Sequence, residues 1–148
     1  MQNWSRFVMK PELIASCGIN CAICVGYLGY TMSGTKRKHS CLGCRTSDES
    51  GKFLSRKNCA FLKKHCDLLA KEQVRFCFEC DDFPCRYLKK LDDGYVRKYN
   101  TSLIENLNAI KDNGMKRFLQ EQSKKYTCPQ CGGTICVHTN LCYNCSPP

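Results

Sequence analysis

The chain has few of the large apolar side chains from which a protein core is usually built. Leu, Ile, Val and Phe make up 31 of its 148 residues, and it contains a single Trp. A share of about one fifth lies near the lower limit for a chain that folds on hydrophobic burial alone. Part of the stability must therefore come from another source.

Long apolar runs are also missing. The sequence never reaches the roughly eighteen consecutive apolar residues that a membrane-spanning helix requires. The first residues, MQNWSRFVMKPELIASC, contain no apolar core of the kind found in signal peptides. We therefore expect a cytoplasmic protein with no membrane partner.

Acidic residues are scarce, with 13 Asp and Glu against 23 Lys and Arg, for a formal net charge of +10. That value treats every cysteine as neutral. A zinc ion held by four thiolates carries a net charge of −2, so three such sites would leave only about +4. The charge therefore gives weak support to a nucleic-acid partner, which stays open.

Cysteine is unusually frequent in this chain, which contains 15 of them. In a reducing compartment, pairs spaced C-x-x-C favour metal binding over disulfides. The cysteine-free stretch from Arg86 to Thr127 divides the chain. We predict a cysteine-rich metal-binding module over residues 1–85, a helical connector packed on it over 86–126, and a zinc ribbon over 127–148. The predicted fold class is a small, metal-stabilised α+β or irregular protein, with zinc knuckles in the first module and a short β-hairpin in the ribbon.

The connector is predicted to be helical because apolar side chains recur every three or four residues. The first stripe consists of Tyr87, Leu88, Leu91 and Tyr95. The polar run Asp92–Gly94 predicts an end or a bend in that helix. Asn100 or Thr101 is expected to cap the next helix, Gly114 to occupy the left-handed position after it, and Phe118 to face inward on a third.

The strongest motif is C-x2-C-x10-C-x2-C near the end of the chain. Its ligands are Cys128, Cys131, Cys142 and Cys145. Two knuckles joined by a short hairpin describe a zinc ribbon, a closed site with no open coordination position. Alternation predicts a strand from Thr134 to His138. Because four sulfurs complete the site, we expect Cys136 to be a buried thiol and His138 a hydrogen-bonded ring outside it. Iron in the same site stays an alternative.

Ten more cysteines lie in the first module. They are Cys17, Cys21, Cys24, Cys41, Cys44, Cys59, Cys66, Cys77, Cys80 and Cys85. One site is predicted from the pairs at 21, 24, 41 and 44, and a second from those at 77 and 80 with Cys66 and either Cys59 or Cys85. Crossed pairing of the clusters is equally compatible with the spacing. Two thiols remain over, for which Cys17 and Cys85 are the candidates.

Iron–sulfur chemistry is the main alternative for this module. The spacing C-x3-C-x2-C from Cys17 to Cys24 also occurs in enzymes that hold a four-iron cluster for S-adenosylmethionine chemistry. Those enzymes need a large barrel, for which this chain has neither the length nor the alternating pattern of strands and helices. A closed electron-transfer cluster with Cys85 as its fourth ligand remains, although Pro84 precedes that cysteine instead of following it.

Two polar features carry little chemistry of their own. Asp81 and Asp82 lack a second carboxylate pair or a nucleophile, so a turn is expected there. The basic run TKRKHS, residues 35–40, is expected to be a solvated loop, with phosphate contact as its alternative.

These motifs together resemble a known family. The segments ASCGINCAICVGYL, CLGC, CFECDDFPCRYLKKLDDGYVRKY and SLIENLNAIKDNGMKRFLQEQSKKYTCPQCGGTICVH are similar to an uncharacterised cysteine-rich prokaryotic family known as domain of unknown function 3795. The resemblance runs from about Ser16 to Cys145. It implies a metal-binding protein, presumed to use zinc, in bacteria and archaea that are often anaerobic, and it implies no reaction.

Three functional hypotheses follow. The first is a non-enzymatic protein with about three structural zinc ions, all fourteen cysteines named above as metal candidates, no catalytic residue and a protein partner. The second is an iron–sulfur or thiol redox protein with one cluster in the first module. The third is a nucleic-acid-binding zinc-ribbon protein.

Overall fold

The computed structural model describes residues 9–40, 62, 65–71 and 73–145. This part of the chain is mostly helical. Its α-helices are α1 (Val25–Leu28), α2 (Asp67–Ala70), α3 (Arg86–Tyr99), α4 (Leu103–Asn113) and α5 (Met115–Lys125). Its 3-10 turns are Pro11–Leu13, Cys21–Ile23 and Cys77–Glu79. None of its helices is both long and apolar enough to cross a bilayer.

Helix α3 continues through the run where the sequence predicted an end or a bend. Asp92 is the reason, because its carboxylate has partners outside the helix. It accepts hydrogen bonds from Ser102 Oγ at 2.9 Å and from the backbone N–H of Ile104 at 3.0 Å. The side chain that weakens α3 locally thus satisfies the first turn of α4, where a negative charge is favoured.

The helix caps differ from those expected. Asn100 adopts the left-handed conformation and ends α3, while Ser102 caps α4 by accepting a hydrogen bond from the N–H of Glu105 at 3.1 Å. The prediction of Asn100 or Thr101 as that N-cap was therefore wrong. Gly114 has a φ of 90° and a ψ of 160°, so it is not in the left-handed helical conformation that the sequence predicted. It ends α4 and precedes the first residue of α5.

The core lies between the first cysteine segment and the three long helices. Its most buried large side chains include Ile14, Leu62, Leu88, Leu103 and Leu107. The contact with α4 is close at Gly18, which has a φ of 93°. A Cβ atom at this position would lie 2.6 Å from the carbonyl oxygen of Leu103. Gly18 is therefore required both for its backbone conformation and for the distance between the two segments.

The C-terminal segment packs against the first module rather than standing apart from it. Val137 and Tyr126 bury their side chains in a small cluster with Met9 and Ile23. The backbone N–H of Val137 donates to the carbonyl of Ile23 at 2.8 Å, and the rings of Tyr30 and Tyr143 stack at 4.0 Å. The two ends of the described chain thus form one packed unit.

The strand predicted from Thr134 to His138 is reduced to isolated antiparallel bridges. Thr134 pairs with Thr127, and Ile135 pairs with Cys142. Beyond these bridges, the N–H of Val137 donates to Ile23 of the first module instead of to the opposite strand, so a regular hairpin does not continue. The expected alternation is absent too, because Cys136 and Val137 are both buried.

Candidate metal centre

Four cysteine sulfurs converge near the end of the described chain. The Sγ atoms of Cys128, Cys131, Cys142 and Cys145 all lie within 4.8 Å of one another. Two of the separations are 3.5 Å, from the first cysteine to the last and between the two inner ones. A tetrahedral zinc ion with bonds of about 2.3 Å places its sulfurs about 3.8 Å apart. The cluster therefore has the size and the donor set that a metal ion needs.

The backbone around Gly133 holds this cluster together. Its carbonyl accepts a hydrogen bond from the N–H of Cys128 at 2.7 Å, and its own N–H donates to Cys131 Sγ at 3.4 Å. A Cβ at this glycine would lie 3.2 Å from Cys131 Sγ and 3.3 Å from Cys142 Sγ. The absence of a side chain here leaves the space that the sulfurs occupy.

Hydrogen bonds favour the thiolate form of two of these four cysteines. The Asn144 amide, which donates to Cys131 Sγ at 3.5 Å, and the N–H of Gly133 lower the pKa of the Cys131 thiol to about 6. The backbone N–H groups of Cys131 and Gln130 lower the pKa of Cys128 as well. Thiolates are the form that binds metal, so the surroundings prepare the site for a cation.

Cys136 and His138 lie outside the four-sulfur cluster, as predicted. Cys136 is fully buried. His138 Nδ1 accepts a hydrogen bond from the backbone N–H of Val25 at 3.1 Å, and its Nε2 lies 3.0 Å from the hydroxyl of Tyr95. Burial lowers the pKa of His138, which keeps the ring neutral. The histidine connects the C-terminal segment to both α1 and α3.

Two cysteine pairs in the first module share one backbone conformation. Cys21 and Cys77 each begin a 3-10 turn, and the N–H of Cys24 and of Cys80 returns to the carbonyl of the cysteine three residues earlier, at 3.0 and 3.1 Å. The closing residues have nearly the same dihedral angles, with φ of −79° and −86° and ψ of 137° and 139°. Each pair forms the same compact knuckle.

Four cysteines of this module lie in the lining of one small cavity. Cys66, Cys77, Cys80 and Cys85 line an apolar space of about 20 Å³ beneath α3. Cys17 is fully buried in the neighbouring core. Within the part of the chain that the structure describes, the C-terminal cluster is nevertheless the one group of three or more potential ligands whose donor atoms approach within 4.8 Å. Cys41, Cys44 and Cys59 lie outside the described residues.

The sequence did not single out Asn20, which lies between the first two cysteines. It is the one buried polar side chain among the described residues, with 3% of its surface exposed. Its amide donates to Gln122 Oε1 at 3.2 Å and to Met9 Sδ at 3.3 Å, and its oxygen accepts from the N–H of Ala22 at 3.0 Å. Asn20 thus fixes the first knuckle to α5. Its position directly before the Cys21–Cys24 pair is the sequence feature from which a structural role could have been predicted.

The cysteine-rich part of the chain matches a known protein family. Residues 13–90 match the model of a family described as "Protein of unknown function (DUF3795)". The chain belongs to this family. The matched segment contains all ten cysteines of the first module and ends before the C-terminal cluster. No curated protein and no solved structure matches the chain.

Proposed function

We propose that this DUF3795 protein is a small, non-enzymatic, cytoplasmic metalloprotein in which closed zinc sites with four cysteine ligands hold surface segments in place for a protein partner. The observation that carries the proposal is the convergence of four sulfurs in a C-x2-C-x10-C-x2-C segment, within 4.8 Å of one another. Such a segment is typical of a zinc ribbon. Four protein ligands leave no open position for substrate, which favours a structural role over a catalytic one.

The cavity lined by four cysteines of the first module supports the proposal of a further metal ion there. Cys77 and Cys80 form one knuckle, and Cys66 and Cys85 line the same apolar space. Binding of zinc there would draw the four sulfurs together. With a third site that uses Cys21 and Cys24, the chain would hold about three zinc ions.

Metal content per chain, measured together with the visible absorption spectrum after anaerobic purification, tests this proposal. We expect a colourless protein with about three zinc ions and no iron. Visible absorption together with stoichiometric iron would instead indicate an iron–sulfur cluster in the first module. That result would support the redox alternative. A protein with no bound metal would refute the proposal.

Substitution of single cysteines locates the ions. Cys131→Ser is expected to remove one zinc ion per chain, and Cys80→Ser to remove another. Cys136→Ala is the matched control, because this thiol is buried beside the C-terminal cluster but is not part of it. Equal metal loss in the control and in Cys131→Ser would contradict the assignment of ligands.

Removal of the metal tests its structural role. Because a closed site forms only in the folded chain, its binding energy is also folding energy. We expect a strong chelator to abolish the cooperative thermal transition followed by circular dichroism. A native spectrum and an unchanged transition after complete removal of zinc would show that the sites are not structural.

A further inference from the structure

A wide groove lies between α3 and the loop after α1. Its volume is about 700 Å³, within the range of sites that bind small molecules. Residues of α1 and the following loop form one wall, and α3 forms the other. His138 also lines it. The cysteines of the C-terminal cluster do not line it, and among the proposed metal ligands that the structure describes only Cys24 does. The proposed zinc sites therefore do not account for the groove as a whole.

The groove is lined by positive charge. Its cations are Arg37 from the loop and Lys90, Arg97 and Lys98 from α3, and none of the described residues that line it is acidic. In the described part of the chain, none of these four side chains forms an ion pair. Because no described acidic residue lines the groove beside these four cations, an anionic ligand bound there would reduce the repulsion among them.

Aromatic rings accompany the cations. Tyr30 lines the groove with its ring stacked on Tyr143, which fixes its orientation. Tyr99 lines it from α3 and is held by an edge contact with His138 at 4.7 Å. Both tyrosines are half-buried, and Met32, at 53% exposure, lies at the rim. Rings held in this way provide surfaces against which a planar group can pack.

The wall formed by α3 contains a glycine at a position where another residue would make the helix more stable. Gly94 lies inside α3 and costs the helix about 1 kcal/mol relative to alanine. Packing does not require it, because a Cβ at this position would meet no atom within 4 Å. A side chain here would project into the open space between Lys90 and Arg97. The glycine therefore keeps that space clear.

We propose that this basic groove binds a nucleotide unit, with the phosphate against the four cations and the base beside the tyrosine rings. A simple anion would use the cations but would leave the rings and most of the volume unused. A nucleotide supplies both a charge and a planar ring, and arginine and lysine are the side chains that bind phosphate. The nucleotide can be free or part of a single strand. This site goes beyond the metal-binding function and does not depend on which metal the cysteines hold.

Binding measurements on the metal-loaded full chain test the proposal. The probes are the four ribonucleoside monophosphates, inorganic phosphate, and fluorescein-labelled single-stranded and duplex oligonucleotides of equal length, all at low ionic strength. Calorimetry measures the small probes and fluorescence anisotropy the labelled ones. We expect a mononucleotide or a single strand to bind more tightly than phosphate and duplex.

Two kinds of variant locate the binding. Gly94→Leu fills the groove without changing the charge and improves helix propensity, so the fold is retained; we expect affinity to fall about tenfold or more, as for loss of a stacked base. Lys90→Gln with Lys98→Gln removes two groove charges, and Lys89→Gln with Lys111→Gln removes two exposed charges outside it.

The salt dependence of single-strand binding sharpens this comparison. Each phosphate contact contributes about 0.7 to the slope of log K against log salt for single strands, so the groove pair should reduce the slope by about 1.4 and the control pair should leave it unchanged. Binding of mononucleotides that is lost in Gly94→Leu supports a free nucleotide as the ligand. Binding of single strands alone, with the same loss, supports a nucleic-acid segment.

Three results would overturn the proposal. One is that no probe binds, and another is that inorganic phosphate binds as tightly as any nucleotide. The third is that Gly94→Leu has no effect while both charge pairs weaken binding equally, which would indicate nonspecific attraction to a basic surface. Metal content is measured on the same samples, so failure of the groove is distinguishable from failure of the zinc sites.

Discussion

His138 is the side chain whose removal should most weaken the attachment of the C-terminal segment. Its Nδ1 accepts from the N–H of Val25 at 3.1 Å, so its neutral ring carries the proton on Nε2, which donates to the Tyr95 hydroxyl at 3.0 Å. His138→Ala removes two hydrogen bonds worth about 1 kcal/mol each and leaves the N–H of Val25 without its acceptor, which adds about 1 kcal/mol. We expect a loss of about 3 kcal/mol.

Thermal unfolding followed by circular dichroism measures this loss, with free zinc held constant in all samples because bound metal shifts the midpoint. For a chain of this size, the midpoint should fall by about 6 to 12 °C. His138→Asn is the matched variant, because its amide oxygen can replace Nδ1 as acceptor for Val25. It should lose about 1 kcal/mol, and Tyr95→Phe should lose a similar amount.

The same histidine predicts a dependence on pH. Burial lowers its pKa below the ordinary value of 6.5, so below pH 6.5 the unfolded chain binds more protons at this site than the folded protein does. The stabilisation by His138 is therefore complete above about pH 6.5 and declines as the pH falls through its folded pKa. The difference in stability between the native protein and His138→Asn should shrink over that range. A loss below about 0.5 kcal/mol for His138→Ala, or a difference that does not change with pH, would refute this reasoning.

Three further substitutions test the remaining contacts. Gly18→Ala should cost several kcal/mol more than Gly114→Ala in thermal unfolding, because both glycines have a positive φ but only the first would bring a Cβ into the backbone of α4; equal costs would contradict the close contact. Ser102→Ala should lower the free energy of unfolding by about 1 kcal/mol through loss of the cap, and no change in the midpoint would count against that hydrogen bond. Gly133→Ala should weaken zinc binding in a competition titration although every ligand is retained, and unaltered affinity would show that the sulfurs tolerate a side chain beside them.

The connector helices were predictable because their information is local. Leu88, Leu103, Leu107 and Phe118 lie on apolar stripes, and the structure buries all four. The continuity of α3 was not predictable in the same way. Aspartate has a low propensity for the interior of a helix. In the folded protein, the hydrogen bonds of Asp92 with Ser102 and Ile104 stabilise it there, and these contacts exist only once α4 has packed against α3.

The same distinction separates the two cysteine-rich regions. The four C-terminal sulfurs lie within eighteen residues of sequence, from Cys128 to Cys145, so their spacing was enough to predict that they meet. In the first module, spacing allowed several pairings. In the structure, Cys66 and Cys85 line the same cavity as the Cys77–Cys80 knuckle, a combination that was one of several compatible with the spacing. His138 was predicted to be hydrogen-bonded, but its partner Val25 lies 113 residues away, beyond the reach of any local pattern.

That long separation has a consequence for the order in which the protein folds. Two backbone groups at the first knuckle, the carbonyl of Ile23 and the N–H of Val25, are paired with Val137 and His138; the second pair is separated by 113 residues. The C-terminal cysteines close a short loop, which costs less chain entropy than joining the two ends of the chain. The C-terminal cluster is therefore expected to close before the two distant segments of the chain pack together. The first module would reach its final backbone pairing only after the segment that contains Val137 and His138 has packed against it.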